Sequence, residues 1–345
     1  MRFGYATSWL PAVLALALFA SPLAAREVTD SAGRTVEVPD TVDRVFPAGP
    51  PAMVVLYTIA PDTLLGWTRE FRGDEASYVA APYRDLPVLG RLTGRGDTAN
   101  VEVVLATRPD LIFDYGSISP TYVSLADRVQ EQTGVPYLLI DGRFENTVAS
   151  LRQLGGVLGR PEDGARLADA AASIFAGVDA VLTKVPEAER PRVYLARGPD
   201  GLETGLRGSI NTEIIERVGA VNVADAPGQR GIANVSPEQV LLWDPEVVVT
   251  WDEAFFEAVR TIPFWQNVQA VRENRVYLSP AEPFGWIDRP PSLNRLLGMK
   301  WLLKVLYPDE APFDLRAATR DFYREFYHVD LGPEQLDALL AGSGG

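Results

Sequence analysis

Eight side chains of this 345-residue sequence set aromatic rings and guanidinium groups among glycines and prolines. They are Trp67 and Arg69 in Gly66-Trp67-Thr68-Arg69, Tyr115, Arg197 in Ala196-Arg197-Gly198, Arg207 in Leu206-Arg207-Gly208-Ser209, Trp251, and Trp286 with Arg289 in Phe284-Gly285-Trp286-Ile287-Asp288-Arg289-Pro290-Pro291. Rings stack on delocalised solutes and guanidinium groups donate charge-assisted hydrogen bonds to anions, so the set suits a delocalised, partly anionic small molecule. Each residue also has an ordinary alternative. Tyr and Trp enter cores as readily as clefts, and a surface Arg pairs with a nearby carboxylate, as Asp288 offers beside Arg289. Arg289 also precedes a helix expected near Pro291, whose N-terminus could help bind an anion.

Catalytic groups are scarce. The sequence has no Gly-x-Ser-x-Gly elbow, no cysteine and a single histidine, His328, inside the aromatic segment Phe322-Tyr323-Arg324-Glu325-Phe326-Tyr327-His328, where packing is the ordinary role. A Ser-His-Asp hydrolase would have to use His328, and no histidine pair or thiolate set is present to hold zinc or manganese. No catalytic residue, cofactor or metal ligand is assigned, and iron is expected only inside a chelator. A carboxylate-only secreted hydrolase stays open as a rival, as does a receptor that uses its surface as a rigid platform.

The charge balance narrows the partners. With 46 acidic against 32 basic residues, a net charge of −14, the chain is a poor ligand for nucleic acid or anionic lipid. Residues 1–25 carry one charge, Arg2, then an apolar run from Trp9 to Ala20 and Ser21-Pro22-Leu23-Ala24-Ala25, the pattern of a cleaved secretory signal too short to span a bilayer. Its removal leaves a net charge of about −15. A secreted chain without cysteine has neither disulfides nor a lipidated N-terminal cysteine, so a freely diffusing periplasmic monomer is expected.

Length and a 47% hydrophobic content point to two domains. From Val28 to Tyr137, short apolar runs such as Arg44-Val45-Phe46 and Asp110-Leu111-Ile112-Phe113 alternate with amphipathic segments, the pattern of a parallel sheet covered by helices. The alternation resumes at Arg192-Val193-Tyr194-Leu195 and continues to about Leu306. Between them, after Pro161, apolar residues recur at Leu167, Ala171, Ile174, Phe175, Val178, Val181, Leu182 and Val185 with helical spacing. The expected fold class is α/β: two Rossmann-like lobes with parallel-rich sheets, joined by one long helix, with a ligand cleft between them. The signal occupies residues 1–25, the N-terminal lobe 26–160, the joining helix 161–185, and the C-terminal lobe with the C-terminal helices 186–345.

The two halves also repeat. At a constant offset of 136, Glu102 aligns with Glu238, Pro109 with Pro245, Asp110 with Glu246, and Tyr115 with Trp251. Each unit reads as a helix with an acidic first turn, a proline stop and a buried strand. Two such units at equivalent places argue for pseudo-symmetric lobes. Ligands of parallel sheets sit beyond the carboxyl ends of the strands, which sets Tyr115 and Trp251 on facing lips of the cleft. Met53 and Met299 are assigned to the core.

These features, with the opening Asp30-Ser31-Ala32-Gly33-Arg34-Thr35-Val36-Glu37-Val38-Pro39 and the following Arg44-Val45, resemble the periplasmic binding proteins of ATP-binding-cassette (ABC) importers for iron-siderophores, haem and cobalamin. The resemblance covers essentially the whole chain after residue 25. It implies a non-enzymatic protein that captures a small molecule, first an iron chelate, and delivers it to an ABC permease. It further implies that one surface glutamate per lobe, Glu102 and Glu238 here, docks onto permease arginines. A two-fold symmetric basic partner suits such a pair; favouring a helix N-terminus is the simpler role of either glutamate alone. Some members that bind molybdate-like oxyanions resemble the Asp288-Arg289-Pro290 segment and Trp301-Leu302 with Tyr307-Pro308, so an oxyanion, like haem or cobalamin, is an alternative ligand.

Overall fold

The computed structural model describes residues 25–94 and 99–341. The expected signal, residues 1–25, lies outside the described residues except for Ala25. An antiparallel pair, β1 (Ala25–Thr29) and β2 (Thr35–Pro39), opens the described chain. A parallel sheet follows, in the order β3 (Val45–Pro47), β4 (Leu111–Gly116), β5 (Tyr137–Asp141), covered by α1 (Pro50–Ile59), α2 (Val101–Thr107), α3 (Pro120–Thr133) and α4 (Thr147–Val157). Leu111 to Tyr115 of β4 are all buried, which is why this strand reads as a continuous apolar run rather than an alternating one.

Helix α5 (Pro161–Leu182) comes next in the chain, about 33 Å long from its helical rise. Pro161 starts it, Glu162 and Asp163 favour its positive end, and Leu167, Ala168, Ala171, Val178 and Val181 form its buried stripe. It ends three residues before the expected Val185, which is still buried. The helix packs closely on α4 because Gly155 and Gly164 meet: a Cβ on Gly164 would lie 2.7 Å from the Gly155 Cα.

The second half runs β6 (Arg192–Ala196), β7 (Glu203–Gly205), α6 (Glu213–Arg217), β8 (Val221–Asn222), β9 (Ile232–Asn234), α7 (Pro237–Trp243), β10 (Val247–Thr250), α8 (Glu253–Ala258), α9 (Gln269–Arg272) and β11 (Val276–Leu278). Its parallel sheet has the order β11-β10-β6-β8, with β7 and β9 as a separate antiparallel pair. Two α/β lobes with parallel sheets are therefore present, as the alternation of apolar runs predicts.

Helices α10 (Asn294–Leu306), α11 (Leu315–Tyr327) and α12 (Pro333–Leu340) follow and return to the first half. Helix α10 packs on α5, and α11 on α1. Ser292 Oγ donates to the Pro51 carbonyl at 2.8 Å, and Gln335 Nε2 to that of Ser77 at 3.3 Å. One buried apolar cluster consequently runs through both sheets, joining Val45 and Leu111 to Val193 and Val247 by way of α5, α10 and α11. Arg295 of α10 is buried where the halves meet. Its guanidinium donates to the carbonyl of Gly142 at 2.9 Å in one half and to that of Ile210 at 2.7 Å in the other, and pairs with Glu213 at 3.1 Å. Glu213 in turn accepts from the Phe144 N–H at 3.0 Å. A continuous core and a shared buried charge tie the lobes together.

The sequence repeat is a repeat in three dimensions. Asn100 caps α2 by accepting from the Val103 N–H, and Ser236 caps α7 by accepting from the Gln239 N–H. Each helix ends on a left-handed residue that is not glycine, Arg108 at φ 46° and Asp244 at φ 37°, with proline next. Val104 and Val240 point inward at equivalent positions, while Glu102 and Glu238 are exposed.

A candidate ligand-binding cleft

Parallel strands place their carboxyl ends, and the loops that follow, on one edge of each sheet. Between the two edges lies a cavity of about 1080 Å³. The first half contributes the loop bearing Arg69 and Arg72, the end of β4 with Asp114 and Tyr115, the turn into α3, and Arg143 after β5. The second half contributes Arg197 after β6, the turn around Ser209, Arg230, Trp251 after β10, and the Asp288 to Pro291 segment.

Of the eight candidates, Arg69, Tyr115, Arg197, Trp251 and Arg289 line this cavity, and the other three do not. Trp67 is a core residue, 1% exposed, with its ring against Tyr57 and Phe71 and its Nε1 donating to the Tyr83 carbonyl at 2.9 Å. Trp286 is also 1% exposed, beneath α10, where Gly298 permits the approach: a Cβ there would lie 1.8 Å from the Trp286 carbonyl oxygen. Both indoles find polar partners inside the protein, which is what allows them to be buried. Arg207 pairs with Asp225 at 3.1 Å and donates to the Asn222 carbonyl at 3.1 Å, away from the lining. Met299 is buried in the core as expected, and Met53 is buried with its side chain accepting from Thr68 at the cavity edge.

The five that line the cavity are not equivalent. Arg69 is matched by Glu75, whose two oxygens accept at 2.5 and 2.9 Å. Arg197 is matched by Asp288 at 3.2 Å and Glu203 at 3.3 Å. Asn211 donates to the other oxygen of Asp288 at 2.8 Å. Burial still lifts the Asp288 carboxyl above its usual range, with Arg197 and then Asn211 opposing the rise. Arg289 makes no ion pair among the described residues. It sits at φ 95° with its guanidinium 4.6 Å from the centre of the Trp251 ring, while Arg197 approaches the same ring at 5.9 Å. Partial desolvation, followed by the charges of Arg72 and Arg69, pulls the Arg289 pKa below its ordinary value. Trp251 Nε1 is buried without a hydrogen-bond acceptor among the described residues, a donor that a bound solute could satisfy.

Three further arginines in the lining, Arg72, Arg143 and Arg230, likewise make no ion pair among the described residues. Sequence reasoning missed them although Arg72 and Arg230 precede glycine just as Arg197 and Arg207 do, because an Arg-Gly pair alone does not tell a cleft loop from any other surface turn. Asp114 was missed as well, since it reads as part of a core strand. It is 7% exposed and accepts from the Tyr115 N–H at 3.0 Å and from Thr93 and Tyr137 hydroxyls at 3.3 Å. Burial outweighs these bonds and pushes its pKa up to about 6. Burial likewise pushes Tyr115 to about 12. His328 lies outside the lining, with Nε2 3.2 Å from the Tyr57 carbonyl and 3.1 Å from that of Thr58 at the end of α1.

A sequence model of the family described as periplasmic binding protein matches residues 65–283. The chain is similar to the molybdate-binding protein MolA of Haemophilus influenzae, 28% identical over 95% of this chain and 98% of that protein. Among solved structures, the ABC transporter solute binding protein from Sulfurospirillum deleyianum superposes with a TM-score of 0.82 at 28% identity, covering 91% of this chain and 98% of the other. MolA bound to molybdate superposes with a TM-score of 0.74 at 24% identity, over 89% of this chain and 99% of that one.

Proposed function

This chain belongs to the periplasmic binding protein family and is a solute-binding protein of an ABC importer; we propose that its solute is an anion, captured in the periplasm after removal of the signal and passed to the permease without turnover. The observation that carries the reading is charge. A chain of net charge −14 gathers four arginines that make no ion pair among the described residues, Arg72, Arg143, Arg230 and Arg289, around one cavity. Arginines paired only within the protein would be structural, but unpaired ones facing a cleft await a counter-charge. Trp251, braced by two guanidinium groups and holding a free N–H, adds a stacking surface and a donor.

The volume supports a chelate-sized ligand, since pockets of roughly 300–1,000 Å³ suit drug-sized molecules. An anionic metal chelate of siderophore type is therefore the first reading. A molybdate-like oxyanion is the second, favoured by the similarity to MolA along 95% of the chain. Capture without turnover is supported by the position of His328, whose contacts with the end of α1 leave it unable to serve a serine in the cleft. Glu102 and Glu238 are proposed as the permease-docking carboxylates on their matched, exposed positions. Its own backbone N–H, and then Ser236, hold the Glu238 carboxyl below its usual range, which keeps it ionised.

Native mass spectrometry of protein taken from its own periplasm tests the solute. A retained mass of several hundred daltons containing iron supports the chelate, and an added molybdate mass supports the oxyanion. Calorimetry with ferric catecholate and with molybdate then supplies affinities. Tight, salt-independent binding of a neutral or cationic solute would sink the anion reading.

A further inference from the structure

Among the described residues, five large apolar side chains are exposed, and three of them lie on the two repeated helices: Leu105 at 47% on α2, and Leu241 at 37% with Leu242 at 78% on α7. Surface leucines scattered singly need no explanation, but these are not scattered. Leu105 and Leu241 are equivalent under the offset of 136, and each lies three residues after the exposed glutamate of its helix. Residues three and four apart share a helix face, so Glu102 stands beside Leu105, and Glu238 beside Leu241 and Leu242. The inward positions, Val104 and Val240, anchor both helices, and no residue of either helix lines the cavity. The leucines therefore serve neither the core nor the solute.

We infer that the surface facing the permease is a carboxylate–leucine pair presented twice, in which Leu105 and the Leu241–Leu242 patch bury apolar surface against the membrane partner beside Glu102 and Glu238. The inference rests on the docking reading above. A second copy of this chain is a poorer occupant, because it would bring carboxylate against carboxylate across an isologous contact. A partner with basic groups flanking apolar grooves, itself repeated about a two-fold, complements both parts of the pattern. The two parts should differ with salt: screening weakens the carboxylate contribution, whereas burial of leucine persists.

The experiment compares wild type, the charge-reversed pair Glu102→Lys with Glu238→Lys, and the triple variant Leu105→Ser, Leu241→Ser, Leu242→Ser, each binding the cognate ABC permease reconstituted in proteoliposomes at low and at 0.5 M salt. The triple variant should keep its melting temperature, since the leucines are exposed, and should bind about tenfold or more weakly at both salt concentrations. The charge-reversed pair should lose most of its deficit relative to wild type at high salt. If the triple variant binds as wild type while the charge reversal weakens binding, the leucine contact is wrong and the docking reading stands. If neither variant changes binding, the docking face lies elsewhere and both fall.

Discussion

In the first half of the molecule Asn100 caps α2, Glu102 is exposed, and β4 ends in Asp114 and Tyr115; in the second half Ser236 caps α7, Glu238 is exposed, and β10 ends in Thr250 before Trp251. The outer surfaces match in cap, carboxylate, leucine and left-handed stop. The cleft ends do not. A buried titratable carboxyl faces a buried hydroxyl, and a fully buried tyrosine faces a tryptophan with an unpartnered N–H. A partner with two-fold symmetry demands equal outer faces, whereas an irregular solute held by both lobes demands unequal inner ones. On the proposed function, the pattern of likeness and difference follows from what each surface would touch.

Arg295 bonds to both halves and helps hold the two units in one fixed relation, so it is the residue to remove first. Arg295→Ala strands Glu213 and two carbonyls at the junction of the lobes, so chemical denaturation should show a loss of about 3–5 kcal/mol. An unchanged midpoint would mean that the lobes do not depend on this tie. With the tie and the shared core intact, small-angle scattering should change little on ligand addition.

The asymmetry at the strand ends should appear as a pH dependence. Raising the Asp114 carboxyl from 3.8 to about 6 disfavours its ionised form by roughly 3 kcal/mol. The folded pKa lies above the unfolded one, so this penalty is fully present above about pH 6, shrinks as pH falls, and vanishes below about 3.8. Asp114→Asn should raise stability at pH 8 by up to about that amount and remove this part of the slope between pH 7 and 4. Anion affinity in the wild type should also rise as pH drops through 6, because protonation removes a negative charge from the cavity wall. Identical pH profiles for the two proteins would refute the placement of the ionisation.

Within the cleft, paired and unpaired arginines should part. Arg289→Ala and Trp251→Ala should each weaken solute binding by about 1–3 kcal/mol by calorimetry, with little effect on folding, and affinity should fall with salt. Arg69→Ala and Arg197→Ala should instead lower stability, since each leaves a carboxylate without its partner. Equal effects in both groups would erase the distinction. The outer face gives the smallest effect on the isolated protein: reversing Glu102 and Glu238 to lysine should leave solute affinity nearly unchanged, lower permease-dependent transport severalfold, and be worse together than singly.

Much of this was legible because it is local. Apolar runs, the stripe of α5, the proline stops and the offset of 136 are patterns of neighbours in the chain, and physics that acts over a few residues turned them into the two sheets, the long helix and the matched units. Tyr115 and Trp251 could be placed at the cavity because a parallel strand fixes which way its end points. Trp67, Trp286 and Arg207 could not be told from true lining residues, since a loop tryptophan is core or cleft according to whether an acceptor lies within reach, and an arginine is free or spent according to a carboxylate elsewhere. Tyr83 and Asp225 supply those partners here. The sequence by itself determined the elements, their repeat and the supply of arginines. Only the tertiary structure decided which arginines lack a counter-charge among the described residues, that Asp114 is a buried acid in the same cavity lining, and that Arg295 joins the halves, because pairing and burial depend on residues brought together from far along the chain.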